Sequence, residues 1–584
     1  MNTSFNKYPF VSVKGYEHSC KAGWTNILLE LSLALNNISK SKKIITIECY
    51  TGVYESKLLE AISENLKPAL TILSKDAFKS EMEIRQIVSK DLSDDPVFGK
   101  LTSLTFDDYF DKEKFQALRR KILNVQEGII LVLGTGASLL AEDSDILIYA
   151  DMPRWEIQQR FRKNLAGNLG VCNNSDQPAL KYKWAFFIDW RLCDTLKKNV
   201  FLKADYFLDT TLSEVPKILD AEALKDALHQ TSKGPFSVVP FFDPGPWGGQ
   251  WMKKVCDLDK NVPNFAWCFN CVPEENSLLL KFGNELFETP SINLVFFKPK
   301  ELLGDFIYNK FGAEFPIRFD YLDTIDGGNL SLQVHPLTEY IKEKFNWPYT
   351  QDESYYIMDA KPGASVYLGL KDNINKDSMR ADLLRAEKGK NEFQADKYVE
   401  KWQAKKHDHF LIPAGTVHCS GKDSLVLEIS STPYIFTFKL WDWARNGLDG
   451  KPRPTHIEHG LNVIQFNRTA KWTKENLINR FVTLSESSGC KEEKTGLHEL
   501  EFIETRRHTF SNKVLHNTHG TVNVLTLVDG AEAIVESPDL FFEPFIVRYG
   551  ETFIVPASVG EYTISPYGIS EGKICMTMKA FVRE

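Results

Sequence analysis

The chain has 584 residues, of which 43% are hydrophobic and 25% are charged, a composition typical of a globular protein with several domains. Its net charge of −8 argues against a nucleic-acid-binding surface. An apolar run at residues 129–133 is far too short to span a membrane. The ten scattered cysteines indicate reduced thiols in a cytoplasmic protein, and nothing in the sequence sets the oligomeric state.

The first 230 or so residues alternate between short apolar strands and amphipathic helices. Strands are predicted at residues 11–13, 44–49, 70–73, 128–133 and 146–150, and helices include residues 24–35 and 115–123. Strands separated by helices predict a mostly parallel sheet that is covered on both faces.

A loop after the first predicted strand partly fits the phosphate-binding pattern G-x-x-x-x-G-K-[ST]. Gly15 and Lys21 fit, whereas Cys20 replaces the second glycine and Ala22 replaces the hydroxyl residue that binds Mg²⁺. With a basic helix after Asp151, the segment resembles the P-loop fold of uridine kinases without its phosphate grip. We therefore predict a degenerate P-loop-like domain with a structural or regulatory role, rather than an active kinase.

The composition changes around residues 231–246, where glycine and proline cluster, and short strands with turns follow. A helical insertion is predicted at about 376–403, and later strands include 522–528 and 531–535 on either side of an Asp529-Gly530 turn. These patterns predict a multidomain fold, namely an α/β domain followed by two jelly-roll β-barrels. The predicted domain bounds are 1–234, 235–475 and 476–584.

Four residues of the middle domain form a candidate metal site. Gln333 and His335 alternate along a predicted strand, Glu353 begins another strand, and His418 follows a tight turn at residues 413–415. Two imidazoles, a carboxylate and an amide oxygen suit a divalent cation such as zinc, with a position open for water or substrate. Residues 554–560 echo residues 412–418 but end in glycine, so we expect the last domain to be metal-free.

The blocks around these residues resemble class I mannose-6-phosphate isomerases, zinc enzymes of the cupin superfamily. The resemblance covers roughly residues 240–584 and includes the following blocks: 246–249 (PWGG), 317–336 (IRFDYLDTIDGGNLSLQVHP), 353–360 (ESYYIMDA), 410–418 (FLIPAGTVH) and 450–456 (GKPRPTH). It implies two cupin-type barrels and one Zn²⁺ per chain, held by Gln333, His335, Glu353 and His418.

Departures from the family pattern fall among the residues expected to face the substrate. Gln351 stands where the family has a lysine, and Lys439 aligns with the family's active-site arginine. Our catalytic candidates are Lys439 and Glu428 as proton carriers, although Glu428 is equally well interpreted as a structural carboxylate that holds a ligand imidazole. Arg445 is a candidate for binding the substrate phosphate, or it pairs with Asp442.

The sequence therefore supports three functional hypotheses. The first is a zinc-dependent aldose–ketose isomerase that interconverts mannose 6-phosphate and fructose 6-phosphate. The second is a non-catalytic sugar-phosphate sensor or scaffold, and the third is an isomerase of another sugar phosphate. The predicted partner in each case is a small sugar phosphate, with no nucleic acid and no membrane.

Overall fold

The computed structural model describes residues 5–431, 436–447, 450–496 and 498–583. The chain forms two compact units, and we call the first, Phe10–Gln230 with Ser277–Phe297, the α/β unit. The second, which we call the β unit, comprises Met1–Pro9, Thr231–Asn276 and Lys298–Glu584. Among the described residues, no helix is both long and apolar enough to cross a lipid bilayer.

The α/β unit is built on a seven-stranded sheet with five parallel strands. The strand order is Lys21–Ala22, Lys217–Asp220, Tyr206–Asp209, Ile146–Asp151, Lys42–Cys49, Gly128–Gly134 and Leu70–Leu73, of which the last five are parallel. The last five residues of Lys42–Cys49 are all buried, as expected for a parallel strand with helices on both faces. The parallel sheet predicted from residues 44–150 is therefore confirmed.

The helices of this unit follow the predicted pattern. The helix Trp24–Asn36 buries Ile27, Leu31 and Leu35, which recur every four residues on one face, and a capping box between Ser80 and Glu83 starts another helix. The helices of the unit are Trp24–Asn36, Glu55–Leu66, Glu81–Leu92, Phe106–Tyr109, Lys112–Asn124, Ala137–Leu140, Arg154–Arg162, Pro178–Trp184, Trp190–Val200, Ala221–Thr231 and Ile292–Phe297.

The position predicted for the phosphate-binding loop is wrong. The first strand, Phe10–Ser12, pairs with Ser277–Phe282 in a separate three-stranded sheet that also contains Glu285–Pro290. The last two residues of the loop, Lys21–Ala22, form an edge strand of the main sheet, and the helix Trp24–Asn36 follows. A phosphate loop of this fold class follows a central parallel strand, and here that strand is Lys42–Cys49. The P-loop resemblance as a whole stays a prediction.

The first half of the β unit contains two sheets that contribute side chains to one interior. The six-stranded sheet contains Phe241–Asp243, Trp267–Cys271, Arg318–Asp323, Glu353–Ala360, His409–Ile412 and Ser424–Ser430. The five-stranded sheet contains Leu332–Val334, Ser365–Leu370, Val399–Gln403, His418–Ser420 and Phe438–Trp441.

The second half contains another sheet pair. Its six-stranded sheet contains Val482–Ser487, Cys490–Gly496, Ile503–Phe510, Asn523–Asp529, Thr552–Val555 and Cys575–Val582, and its four-stranded sheet contains Val514–Asn517, Glu532–Glu536, Phe545–Arg548 and Glu561–Pro566. This part of the chain is rich in β-sheet, as predicted. The assignment of each sheet pair as a cupin-type barrel stays a prediction, and so does the division into three domains.

One local prediction needs correction in the β unit. The insertion at 376–403 is helical only in part, because Val399–Gln403 is a strand that pairs with Ser365–Leu370. The Asp529-Gly530 turn lies between two strands, as predicted, and these two strands belong to different sheets. The helices of this unit are Trp251–Val255, Pro299–Leu303, Asp305–Phe311, Thr338–Phe345, Lys376–Glu387, Ala395–Tyr398, Ile457–Val463 and Ala470–Asn476.

Candidate metal centre

The four predicted metal ligands lie at strand ends in the first sheet pair of the β unit. Gln333 and His418 are register partners on adjacent antiparallel strands, so their side chains point to the same face. His335 follows the strand of Gln333, and Glu353 opens a strand of the other sheet. Both sheets therefore supply ligands to one place.

The tight turn at residues 413–415 precedes His418 and is hydrogen-bonded to the backbone of His335. Gly415 adopts φ +88°, where a side chain would be strained, and its N–H donates to the carbonyl of His335 at 2.9 Å. The buried guanidinium of Arg468 donates to the carbonyls of Pro413 and Ala414 at 2.8 and 2.7 Å. The turn before His418 is therefore fixed from both sides, as the Pro-x-Gly pattern predicts.

Three of the four candidate ligands form a compact buried cluster. One ligand atom from each of His335, Glu353 and His418 lies within 4.8 Å of the others. The Nε2 atoms of His335 and His418 are 3.1 and 2.7 Å from the two carboxylate oxygens of Glu353. The Gln333 amide nitrogen is 3.2 Å from His418 Nε2, and a flip of this amide would turn its oxygen to the cluster.

The hydrogen bonds of the two imidazoles favour a cation between them. Nδ1 of His335 donates to the carbonyl of Phe436 at 2.8 Å, and Nδ1 of His418 donates to that of Thr416 at 2.9 Å. In the neutral tautomer, each Nε2 then directs a lone pair at the Glu353 carboxylate, which is repulsive without a proton or a metal ion. His335 Nε2 and Glu353 Oε1 are indeed buried without a hydrogen-bond partner. The residues therefore fit a divalent cation with nitrogen and oxygen ligands.

The pKa shifts of Glu353 and His335 agree with this geometry. Burial acts to raise the pKa of Glu353, but the two facing imidazoles outweigh it and lower the pKa well below its ordinary value. Burial acts to lower the pKa of His335, but the charge of Glu353 outweighs it and raises the pKa. The cluster thus strongly prefers positive charge between its members.

Further carboxyl groups lie on the same interior face. Glu428 is the register partner of both Asp320 and Tyr355, and Gln351 donates from its amide to Glu353 at 3.0 Å. Burial raises the pKa of Asp320 to about 7 and that of Glu428 well above its ordinary value. Glu428 therefore holds its proton more tightly than an ordinary carboxyl group, next to the carboxylate of Glu353.

Lys439 faces the same interior from the strand beside Gln333. Burial lowers the pKa of Lys439 to about 7, and the charges of Arg453 and Arg445 act in the same direction. Arg445 is held by Asp442 through two contacts of 3.0 and 2.7 Å, and Arg453 contacts the same carboxylate at 3.2 Å. Two guanidinium groups therefore contact one carboxylate, and Arg445 forms the predicted pair with Asp442.

Sequence reasoning did not identify two residues of this site, Asp320 and Arg468. Asp320 lies inside the block at residues 317–336, where its alternation with Arg318 along a strand was the available signal. Arg468 lies far along the chain from the turn that it holds, so no local pattern points to it.

The α/β unit has its own buried carboxylate at the end of its central strand. Glu48 accepts hydrogen bonds from the N–H groups of Gly136 and Ser138 at 2.6 and 2.8 Å, and burial raises its pKa to about 7. A protein carboxylate thus takes the N–H donors at the start of the short helix Ala137–Leu140.

Comparison with known proteins gives a different result for each part of the chain. Residues 23–233 match a family described as a domain of unknown function (DUF8485). The mannose-6-phosphate isomerase of Streptococcus mutans is 25% identical over 229 residues, which are 39% of this chain and 66% of that protein. ManA, a mannose-6-phosphate isomerase of Bacillus subtilis, is 26% identical over 235 residues, 40% of this chain and 68% of that protein.

Solved structures that carry the name mannose 6-phosphate isomerase are also similar to this chain. The mannose 6-phosphate isomerase from Bacillus subtilis covers 59% of this chain with 99% of its own, at 18% identity and a TM-score of 0.48. A zinc-bound mannose 6-phosphate isomerase gives 12% identity and a TM-score of 0.46 over 60% of this chain. The sequence match spans about two thirds of the length of the curated relatives. Over about 40% of its length, the chain is therefore homologous to mannose-6-phosphate isomerases.

Proposed function

We propose that the protein is a zinc-dependent aldose–ketose isomerase that interconverts mannose 6-phosphate and fructose 6-phosphate. The observation that carries the proposal is the buried cluster of His335, Glu353 and His418, whose free ligand atoms converge within 4.8 Å. The similarity to proteins named mannose-6-phosphate isomerase supports this choice of substrate. Gln333 is the fourth candidate ligand.

Isomerisation requires that a proton leave the carbon beside the carbonyl and return to the neighbouring carbon. A zinc ion held by these ligands would supply Lewis-acid polarisation of the sugar carbonyl. Lys439 is our first candidate for the proton carrier, because a pKa near 7 lets it accept and return a proton at neutral pH. Its ammonium group has no hydrogen-bond partner among the described residues, so it is available to a substrate.

Glu428 is the second candidate for proton transfer. Its raised pKa means that the carboxyl group holds a proton more tightly than usual, as a general acid requires. Gln351 Nε2 lies 3.5 Å from Glu428 and 3.0 Å from Glu353, so Glu428 also has a structural connection to the metal ligands. Its two roles differ in their effect on metal content, which a Glu428→Gln variant would leave unchanged if Glu428 only transfers protons.

The phosphate of the substrate needs positive charge at the site. Arg445 and Arg453 contact a single carboxylate, Asp442, which leaves an excess of positive charge. Arg445 is fixed by Asp442 and by the carbonyl of Asn329 at 2.5 Å. We assign it to phosphate binding through this fixed orientation, because planar guanidinium groups bind phosphate in a defined geometry.

The test is isomerisation followed by proton NMR, with mannose 6-phosphate and fructose 6-phosphate as separate substrates. Turnover that is lost on chelation and restored by zinc is the expected result. Silence with both substrates in a zinc-loaded sample would reject this reaction. The exposed His519 offers a matched histidine control for ligand variants.

A second candidate function, a non-catalytic sugar-phosphate sensor or scaffold, is favoured by the residues that differ from the family pattern. Gln351 and Lys439 replace a lysine and an arginine at the positions expected to face the substrate. This function predicts saturable binding of a sugar phosphate, measured as a thermal shift, without turnover. Turnover of another sugar phosphate would instead support an isomerase of different specificity.

A further inference from the structure

The second sheet pair of the β unit has an interior that is apolar at one end and polar at the other. Its apolar end contains a buried cluster that includes Leu525, Tyr562 and Cys575. Lys579 pairs with Leu525 and His516 pairs with Tyr562 in the strand registers, so both point to the same interior as the apolar cluster. His508 lies nearby on the neighbouring strand, and its ring centroid is 4.4 Å from that of His516.

The polar end has hydrogen-bonding capacity that the described residues do not use. His516 is buried, and neither of its ring nitrogens has a hydrogen-bond partner. Nδ1 of His508 is also buried and unpartnered. Lys579 is only 5% exposed, and its Nζ lies 5.5 Å from the centroid of the Phe581 ring. Buried polar groups are nearly always satisfied in folded proteins, so this set points to a missing partner.

The other charges at this end are already paired. Glu492 accepts from Arg506 at 3.0 Å and lies 3.1 Å from His508 Nε2, and Arg506 also contacts Glu504 at 2.6 Å. Arg506 and Glu492 are 28% and 21% exposed, so this end of the interior reaches solvent. Glu492 and Glu504 therefore already have cationic partners other than Lys579.

The protonation states of Lys579, His508 and His516 determine which chemical groups a ligand would need in order to bind them. Burial lowers the pKa of Lys579 to about 8, so it stays charged near pH 7. Burial lowers the pKa of His508 and lowers that of His516 well below its ordinary value, so both rings are neutral. Because Nε2 of His508 faces the Glu492 carboxylate, it carries the ring proton, and Nδ1 is an acceptor. The cluster therefore needs a negatively charged acceptor beside Lys579 and a hydroxyl donor beside His508.

We propose that Lys579, His508 and His516 form a binding site for a small hydroxylated anion inside the second sheet pair. The charged oxygen would accept from Lys579 and the His516 N–H, and a hydroxyl would donate to His508. The acidic group is a carboxylate or a phosphate monoester, since both present charged oxygens to a cation. This site uses none of the residues of the candidate metal centre.

The test is isothermal titration of the full-length, zinc-loaded protein with glycerate, glycerol 3-phosphate and glycerol. The three probes share a hydroxylated three-carbon chain and differ in the acidic group, so the two acids distinguish a carboxylate from a phosphate site. We expect one equivalent of at least one acid to bind, and glycerol to bind at least tenfold more weakly. Equal binding of glycerol, or no saturable binding of either acid below about 10 mM, would overturn the proposal.

Variants locate the bound ligand. Lys579→Met keeps the length of the side chain without its charge, and His516→Phe keeps the stacking on Tyr562, whose ring lies 5.1 Å away. Each should weaken binding at least tenfold, and the two together guard against one variant failing to fold. Lys513→Met, on an exposed lysine, should bind as the wild type. Loss of binding in Lys439→Met with retention in folded Lys579→Met or His516→Phe would place the ligand at the metal centre and contradict the proposal.

Discussion

Replacement of Lys439 by methionine separates the chemical role of this side chain from its effect on stability. Burial lowers the pKa of Lys439 from the ordinary 10.5 to about 7, so the unfolded chain binds this proton more tightly than the folded chain. The charged lysine therefore destabilises the fold by about 4 kcal/mol at pH 7, and by about 2 kcal/mol at pH 9. The sign follows from the depressed pKa, because the penalty fades as the pH rises from 7 towards 10.5.

Lys439→Met removes this penalty and places an apolar group in the same space. We expect the variant to exceed the wild type in stability by up to about 4 kcal/mol at pH 7, with an advantage about 2 kcal/mol smaller at pH 9. We also expect the loss of sugar-phosphate turnover. A gain in stability together with a loss of activity is typical of a residue retained for function.

Hydrogen exchange in increasing urea, followed by mass spectrometry of peptides that cover Phe438–Trp441, measures the free energy of opening in this part of the β unit. Both proteins are compared at pH 7, 8 and 9 after chelation, with Lys422→Met as a control at an exposed lysine. A stability difference that is the same at pH 7 and pH 9 would refute the argument, because it would mean that Lys439 does not titrate differently in the folded state.

Three further substitutions test the candidate site. His418→Ala should reduce zinc affinity at least about 100-fold and abolish turnover, as measured by metal analysis and proton NMR. The control variant His519→Ala should change neither. Retained zinc in His418→Ala would contradict the assigned ligand set. Gln351→Lys should raise kcat/KM about tenfold, because it places an ammonium group beside Glu353 for proton transfer; an unchanged or lower value would count against this position as a site of catalysis. Arg445→Lys should raise KM for the sugar phosphate about tenfold with little change in kcat, and a lower Tm with unchanged KM would show that Arg445 has only a structural role.

The sequence predicted the parts of this molecule that short-range patterns encode. Apolar runs such as residues 70–73 correspond to the strands observed, and the Pro-x-Gly turn before His418 has the expected positive φ at Gly415. The four candidate ligand positions could be named because each lies within a recognisable block. The structure then brings His335, Glu353 and His418 together.

The features that sequence reasoning missed depend on partners distant in the chain. Residues 11–13 look like any other apolar strand, yet Phe10–Ser12 pairs with Ser277–Phe282. The turn at Asp529-Gly530 has a hairpin sequence, but the chain there passes from one sheet to the other. Lys579 is likewise an ordinary lysine until the register places it opposite Leu525. Register between distant strands is set by tertiary packing, which local propensity does not describe.

The α/β unit takes two strands from Ser277–Pro290, after the chain has already entered the β unit. During synthesis, this unit can therefore reach its final set of strands only after about half of the polypeptide has emerged from the ribosome, whereas domains usually fold as they are completed. A fragment that ends near residue 230 would leave the edge of Phe10–Ser12 without the strand that it pairs with, and unpaired strand edges promote aggregation. Expression of this unit alone thus calls for residues 277–297 joined to the fragment through a linker, rather than for a single cut.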